Sequence, residues 1–253
     1  MTNDNTLRFS NRVDDYVKYR PGYPASMLTY LQTFFSLNPD KIIADIGSGT
    51  GISSKYFLDA GYVVMGVEPN KEMRDKSEEL LKAESKFTAV NGTAEDTTLP
   101  EHSVDIIVSG QAFHWFDKEK ARVEFKRILK EDKAVVLFWN ERLMESNFEK
   151  DYDALIVKHA IDYVKVDHRF TDLKSVQKFF YPGTCELKEF TNYQSFDFEG
   201  LKGRLLSSSY MPQKGDSGYV AMADDLQRLY NKYQKDGSVK INYTTKVYAG
   251  RLE

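Results

Sequence analysis

The chain has 253 residues, 41% of them hydrophobic, which is enough to bury one sizeable core. A formal net charge of −3 gives no global electrostatic drive toward nucleic acid. The single cysteine, Cys185, excludes an intrachain disulfide and argues against a thiolate metal cage, so no metal is expected.

The opening MTNDNTLRFSN has no apolar signal core, and no run reaches the length of a membrane span. A soluble, cytoplasmic protein is the expectation. Leu252-Glu253 is set aside as an expression scar.

Arg12 to Arg20 is polar and tyrosine-studded, and Pro21, Gly22 and Pro24 interrupt it. A helix is predicted over Ser26 to Phe35, opened by Pro24. Asn38-Pro39-Asp40 is a turn. An alternation follows: strand Ile42 to Ile46, helix Ile52 to Ala60, strand Tyr62 to Val67, helix Lys71 to Ala83 and strand Phe87 to Val90. It continues with strand Val104 to Val108, a helix over Lys118 to Lys130 with a stripe at Ala121, Val123, Phe125, Ile128 and Leu129, and strand Ala134 to Trp139. Five such strands between helices call for a doubly wound, mostly parallel α/β sheet.

After Asn140 the rhythm changes. Helices are predicted over Asn147 to Tyr163, Leu201 to Ser209 and Tyr219 to Tyr233, and strands over Cys185 to Phe198 and Val239 to Tyr248. Two late strands among helices suggest an extended, seven-stranded sheet with a C-terminal helical cap insertion. The organisation is one domain over 1–253. It divides into an N-terminal lid and first helix at 10–36, a core at 41–140, cap-like helices with a late strand at 141–238, and a last strand at 239–251.

"KIIADIGSGTGISS" ends a strand in Gly47, Gly49 and Gly51. The dinucleotide fingerprint would need its third glycine at position 52, which is Ile52. A phosphate loop would need a lysine that does not follow Gly51. Asp45, two residues before the first glycine, would face a pyrophosphate unfavourably and suits a ligand bearing an ammonium and a sulfonium. Glu68, at the end of the second strand, offers two oxygens to a ribose cis-diol.

"IADIGSGTG" followed by Glu68 resembles the class I S-adenosylmethionine-dependent methyltransferases. "NGTAEDTTLP", "SVDIIVSGQAFHWFD" and "FKRILKEDKAVVLFWN" resemble later blocks of that family, in order. "YVKYRPGYP", "QAFHWFD" and "FDFEGLKGRLLSSSY" are similar to segments of its small-molecule, trans-aconitate-type branch. The resemblance covers Ser10 to Asn140 well and is diffuse beyond.

It implies a Rossmann-like fold with S-adenosyl-L-methionine as cofactor. Asp45, Gly47, Ser48, Gly49 and Gly51 would line its methionine end. Glu68 would hold the ribose, Pro69 and Met73 would flank adenine, and Thr93, Ala94 and Glu95 would read the adenine edge. Ser109, Gly110 and Gln111 would border the methionine part or the methyl-transfer zone. Tyr16, Tyr19, Arg20 and Tyr23 would form a lid, with Arg20 pairing a carboxylate. Met73 equally suits the core stripe of its helix, and Gly51 could simply end the turn.

The activity implied is methyl transfer to a small-molecule acceptor through an O-, C- or N-nucleophile (EC 2.1.1 class). A carboxylate acceptor needs no base, whereas a phenol, alcohol or carbon acid does. His114 is the candidate catalytic base. His114, Trp115, Arg142 and Arg204 are the candidate substrate contacts, the arginines as anchors for an acid. A quinone-precursor, protein or RNA methyltransferase, or a non-catalytic S-adenosylmethionine-binding protein, stays open. No nucleic acid or membrane partner is expected, and the oligomeric state is not legible.

Overall fold

The computed structural model describes residues 17–161 and 173–253. The lid residue Tyr16, the domain start at 10 and the predicted helix end at Tyr163 lie outside them.

Five strands, β1 (Ile42–Ile46), β2 (Val63–Val67), β3 (Phe87–Val90), β4 (Val104–Gly110) and β5 (Leu129–Arg142), are parallel to their neighbours within this set. β6 (Cys185–Phe196) and β7 (Val239–Arg251) follow, and the order is β3-β2-β1-β4-β5-β7-β6. β7 runs antiparallel to both β5 and β6, so the seven-stranded sheet is mixed.

Side-chain alternation divides the strands between two faces. Ala134, Val136 and Phe138 face α1 (Ala25–Phe35) and α2 (Ile52–Leu58), while α3 (Lys71–Leu81) adds Leu81 to the same cluster. Val135, Leu137 and Trp139 face the other way, toward α4 (Lys118–Ile128) and α6 (Leu173–Phe180). A third cluster joins α5 (Asn147–His159), α7 (Phe198–Leu206) and α8 (Tyr219–Tyr233) to Phe196, Val239, Ile241 and Tyr243 of β6 and β7.

Several expectations are corrected. The helix expected to reach Lys130 stops at Ile128, and β5 already begins at Leu129. Val123, placed on its buried stripe, is 70% exposed, because positions two apart do not share a helix face. Within the region read as cap, α6 joins instead the core on one face of the sheet: Val176, Phe179 and Phe180, at helical spacing, share a buried cluster with Phe125 of α4 and with Leu137, Trp139 and Tyr248 of β5 and β7. Leu252, set aside as a scar, is buried in the same cluster, and its N–H donates to Lys133 O at 2.9 Å.

Candidate functional site

β1 has β2 on one side and β4 on the other, so the crossovers reverse direction there. In open α/β sheets the carboxyl ends of strands at such a point form a ligand crevice. Gly47 to Gly51 turns there from β1 into α2. Gly47 and Ser48 donate their N–H groups to Val67 O at 2.9 and 3.2 Å, which folds the turn over the end of β2. A Cβ on Gly47 would stand 2.5 Å from Ala112 Cβ, and its φ of 71° is left-handed, so glycine is required twice over.

Two cavities open on this turn, and they share Gly47, Gly49, Gly110 and Gln111. The larger, of about 280 Å³, has Glu68, Pro69, Asn70 and Met73 along one wall. Thr93 to Glu95 form a second wall, and Ala112, Trp115 and Phe116 a third. Glu68 is buried, and both its oxygens accept backbone hydrogens: Oε2 from Gly49 at 2.9 Å and Oε1 from Asn70 at 2.8 Å. Burial raises its pKa, opposed by those two hydrogen bonds. Asn70 caps α3 by accepting from Met73 N. Met73 therefore both lines the cavity and packs in the helix stripe.

The smaller cavity, of about 80 Å³, is polar. Ser48, Thr50, Ser53, Asn140, Arg20 and Arg204 are on its walls. The hydroxyls of Ser48 and Thr50 are buried without a hydrogen-bond partner among the described residues. Arg204 is 8% exposed, and its hydrogen-bond partners among the described residues are hydroxyls: Tyr243 at 3.2 Å from Nε, with Ser207 and Ser208 at 3.4 and 3.5 Å from Nη1. A buried guanidinium is costly unless an anion reaches it, and no carboxylate does so among the described residues.

Other sequence-predicted residues lie elsewhere. Asp45 is fully buried beneath the turn and outside both linings. Its Oδ2 accepts from Ser53 and Ser54 Oγ at 2.7 Å each, while Oδ1 has no partner among the described residues. Burial pushes its pKa up to about 6. The residue read as facing a ligand ammonium is thus turned toward the start of α2. Gly51 is also outside both cavities: it opens α2 with φ 89°, and a Cβ there would stand 2.7 Å from Leu81 Cδ1. It is the turn-and-helix glycine. Ser109 is inside β4, since the strand runs on to Gly110, and is fully buried away from both linings. His114 sits on a short 3₁₀ turn, 4.6 Å ring to ring from Trp115 and in neither lining. Arg142 is already paired with Asp153 and rests over the Tyr152 ring, so it does not reach either cavity.

Polar lining residues that escaped the sequence reading include Asn70, Thr50, Ser53 and Asn140. Thr50 stands between the glycines, and Asn140 directly follows the predicted strand Ala134 to Trp139 at the ligand-binding edge of the sheet. Thr50 and Asn140 thus carried a usable signal.

Against known proteins, residues 44–137 match the family model described as a methyltransferase domain. An uncharacterized methyltransferase of Schizosaccharomyces pombe is 28% identical over 253 residues, 95% of each chain. The chain is therefore similar to S-adenosylmethionine-dependent methyltransferases, with a methyltransferase domain matched over residues 44–137. A putative type II methyltransferase from Anaeromyxobacter dehalogenans has the same fold, with a TM-score of 0.67 at 20% identity, covering 92% of this chain and 98% of that one. Phosphoethanolamine N-methyltransferase 2 of Haemonchus contortus, solved with S-adenosyl-L-methionine, gives 0.58 at 17% identity, covering 99% of this chain and 59% of that one.

The site suits S-adenosylmethionine, the cofactor of the methyltransferases that the chain resembles. A buried carboxylate on the larger cavity matches a diol, and guanidiniums with unpartnered hydroxyls on the smaller match a carboxylate. Gly47 keeps the turn free of a Cβ that would fill the space beside Ala112.

Proposed function

We propose that the chain methylates a small molecule bearing a carboxylate, as a member of the trans-aconitate-type branch. The observation that carries this reading is the pairing of two guanidiniums, Arg20 and Arg204, on the small cavity that adjoins the larger one at the glycine turn. Two cations on one polar cavity suit two carboxylates: the cofactor's own at Arg20 and the acceptor's at Arg204.

When bound, S-adenosylmethionine supplies a methyl group on a sulfonium, open to in-line displacement. The chain's residues then bind, align and exclude water. Glu68 receives the ribose hydroxyls, with its oxygens already aimed by Gly49 and Asn70. Pro69, Met73 and Thr93 to Glu95 flank the base. Gln111 lies on both cavities with φ 61°, a left-handed conformation unusual for a residue with a side chain, and would border both cofactor and acceptor. Trp115 and Phe116 close the apolar side of the larger cavity. The helices α5, α7 and α8 cap the acceptor side, with Arg204 on α7 as their polar contact. A carboxylate acceptor is ionised at neutral pH, so no general base is required, in keeping with the position of His114 outside both linings.

The test is incubation with methyl-labelled S-adenosylmethionine and panels of small di- and tricarboxylates, phenols and amines. Base-labile methyl esters from the acid panel alone are the expected product. Methylated phenols or amines would replace the acceptor class, and tight cofactor binding without turnover would favour a non-catalytic role.

A further inference from the structure

We infer that Tyr243 and Gln194, with Gly203, form a positioning unit. It holds Arg20 and Arg204 on the same cavity by docking residues 17–24 onto α7. The inference rests on the assignment of that cavity to a carboxylate.

The two guanidiniums come from distant parts of the chain. Their convergence depends on contacts outside the cavity. Arg204 Nε donates to Tyr243 Oη at 3.2 Å, Tyr243 Oη donates to Gln194 Oε1 at 3.0 Å, and Gln194 Nε2 donates to the carbonyl of Tyr19 at 3.1 Å. One chain of hydrogen bonds therefore runs from the guanidinium on α7, through β7 and β6, to the backbone beside Arg20. Tyr243 has a single hydroxyl hydrogen. Because it goes to Gln194, the oxygen lone pairs are turned toward Arg204. The amide of Gln194 is likewise fixed, since its nitrogen is engaged by Tyr19.

α7 supplies the seat. A Cβ on Gly203 would stand 2.0 Å from the Tyr19 ring, the tightest approach at any described glycine, so Tyr19 lies directly on the bare helix backbone. The next residue along is Arg204. One turn further, Ser207 O accepts from Arg20 Nη2 at 3.0 Å. Gly22 completes the attachment, its carbonyl accepting from Asn140 Nδ2 at 3.0 Å and Asn192 Nδ2 at 2.8 Å. Docking residues 17–24 thus brings Arg20 to the cavity, and the same contacts orient Arg204.

The experiment uses the full chain carrying Tyr243→Phe, Gln194→Ala, both together, or Gly203→Ala. Trypsin cleavage after the exposed Lys18 reports docking. Calorimetry with S-adenosylhomocysteine and with its decarboxylated analogue reports carboxylate recognition. Expected are cleavage about fivefold faster or more in each single variant, and a preference for carboxylate about tenfold lower. The double variant should be no worse than the more damaged single one, because a broken chain cannot be broken twice. If the homocysteine preference is unchanged and the KM for an acid acceptor rises instead, the carboxylate held is the acceptor's, and the positioning role stands. Wild-type cleavage and wild-type carboxylate recognition in Tyr243→Phe would overturn it, as would additive effects in the double variant. Gly203→Ala tests the seat without touching the polar chain; should it fail to fold, the Tyr243 and Gln194 variants decide. Failure of the wild type to bind S-adenosylhomocysteine would remove the cofactor assignment alone, since Lys18 cleavage still reports the docking.

Discussion

The backbone N–H of Gly49 donates to Glu68 Oε2 at 2.9 Å, joining the glycine turn of β1 to the carboxylate that ends β2. With Asn70 N on the other oxygen, Glu68 is oriented before any ligand arrives. Preorganisation of this kind converts a hydrogen-bonding group into affinity without an ordering cost.

Glu68→Ala should therefore weaken S-adenosylhomocysteine binding by at least about tenfold, the size of one charge-assisted hydrogen bond. Because burial raises the Glu68 pKa, binding should begin to weaken with falling pH earlier than for an ordinary carboxylate. Calorimetry on the variant, and a pH series on the wild type, check both. Wild-type affinity in Glu68→Ala would reject the ribose assignment.

Asp45 makes a stability prediction with a definite sign. Its folded pKa, up to about 6, lies above the unfolded value near 3.9. The stabilisation it gives is therefore complete below the unfolded value and is lost as pH rises through the folded one. Asp45→Asn cannot ionise, so its stability relative to wild type should grow between about pH 4 and pH 7, by something on the order of 3 kcal/mol. Urea unfolding of both proteins at matched pH values measures it. A constant difference would show that Asp45 titrates normally.

The glycines separate stability from binding. Gly51→Ala must both hold a φ of 89° and displace Leu81, so it should cost about 2 kcal/mol or more. Gly49→Ala meets nothing within 4 Å and should cost about 1 kcal/mol for its φ of 56°, yet its new methyl group would project into open space beside both cavities. Loss of ligand affinity in Gly49→Ala, with the larger drop in melting temperature in Gly51→Ala, is the expected pattern.

Arg204→Met should leave the ligand-free protein as stable as wild type, or more so, because the guanidinium is buried among hydroxyls and faces no carboxylate among the described residues. Turnover on an acid acceptor should fall by about a hundredfold or more. A large drop in melting temperature with normal turnover would make Arg204 a structural cation.

His114→Ala should change S-adenosylhomocysteine affinity by less than about twofold, since His114 lines neither cavity. Turnover on a carboxylate should likewise persist. A turnover loss that follows a titration near neutral pH would restore the histidine as a base.

The parallel half of the molecule was legible because each local signal agreed with the others. Apolar runs, helix stripes and glycines fell at consistent spacing, and β1 and β3 have the predicted bounds. The glycine turn and Glu68 were likewise readable, since both carry a chemical requirement at a fixed strand end. What was not legible depends on depth or on distant pairing. Asp45 and Gly51 sit within a recognisable motif, but which side of a turn faces a cavity is decided by neighbours such as Ser53 and Leu81. Arg142 and Arg204 look equivalent as letters; Asp153 neutralises one, while among the described residues the other meets hydroxyls. The placement of α6 on the sheet likewise depends on partners far away in sequence.

The strand order β5-β7-β6 has a consequence for how the molecule comes into being. Registers such as Ala134 with Arg251 and Cys185 with Gly250 mean that β5 and β6 both wait for residues 239–251 before their backbones are satisfied. During synthesis from the N-terminus, the five parallel strands would emerge with the flank of β5 open and β6 without its neighbour. Assembly of the wall that carries Tyr243 and Gln194 is then a late event, and a nascent chain stalled before residue 239 would be a natural target for chaperones.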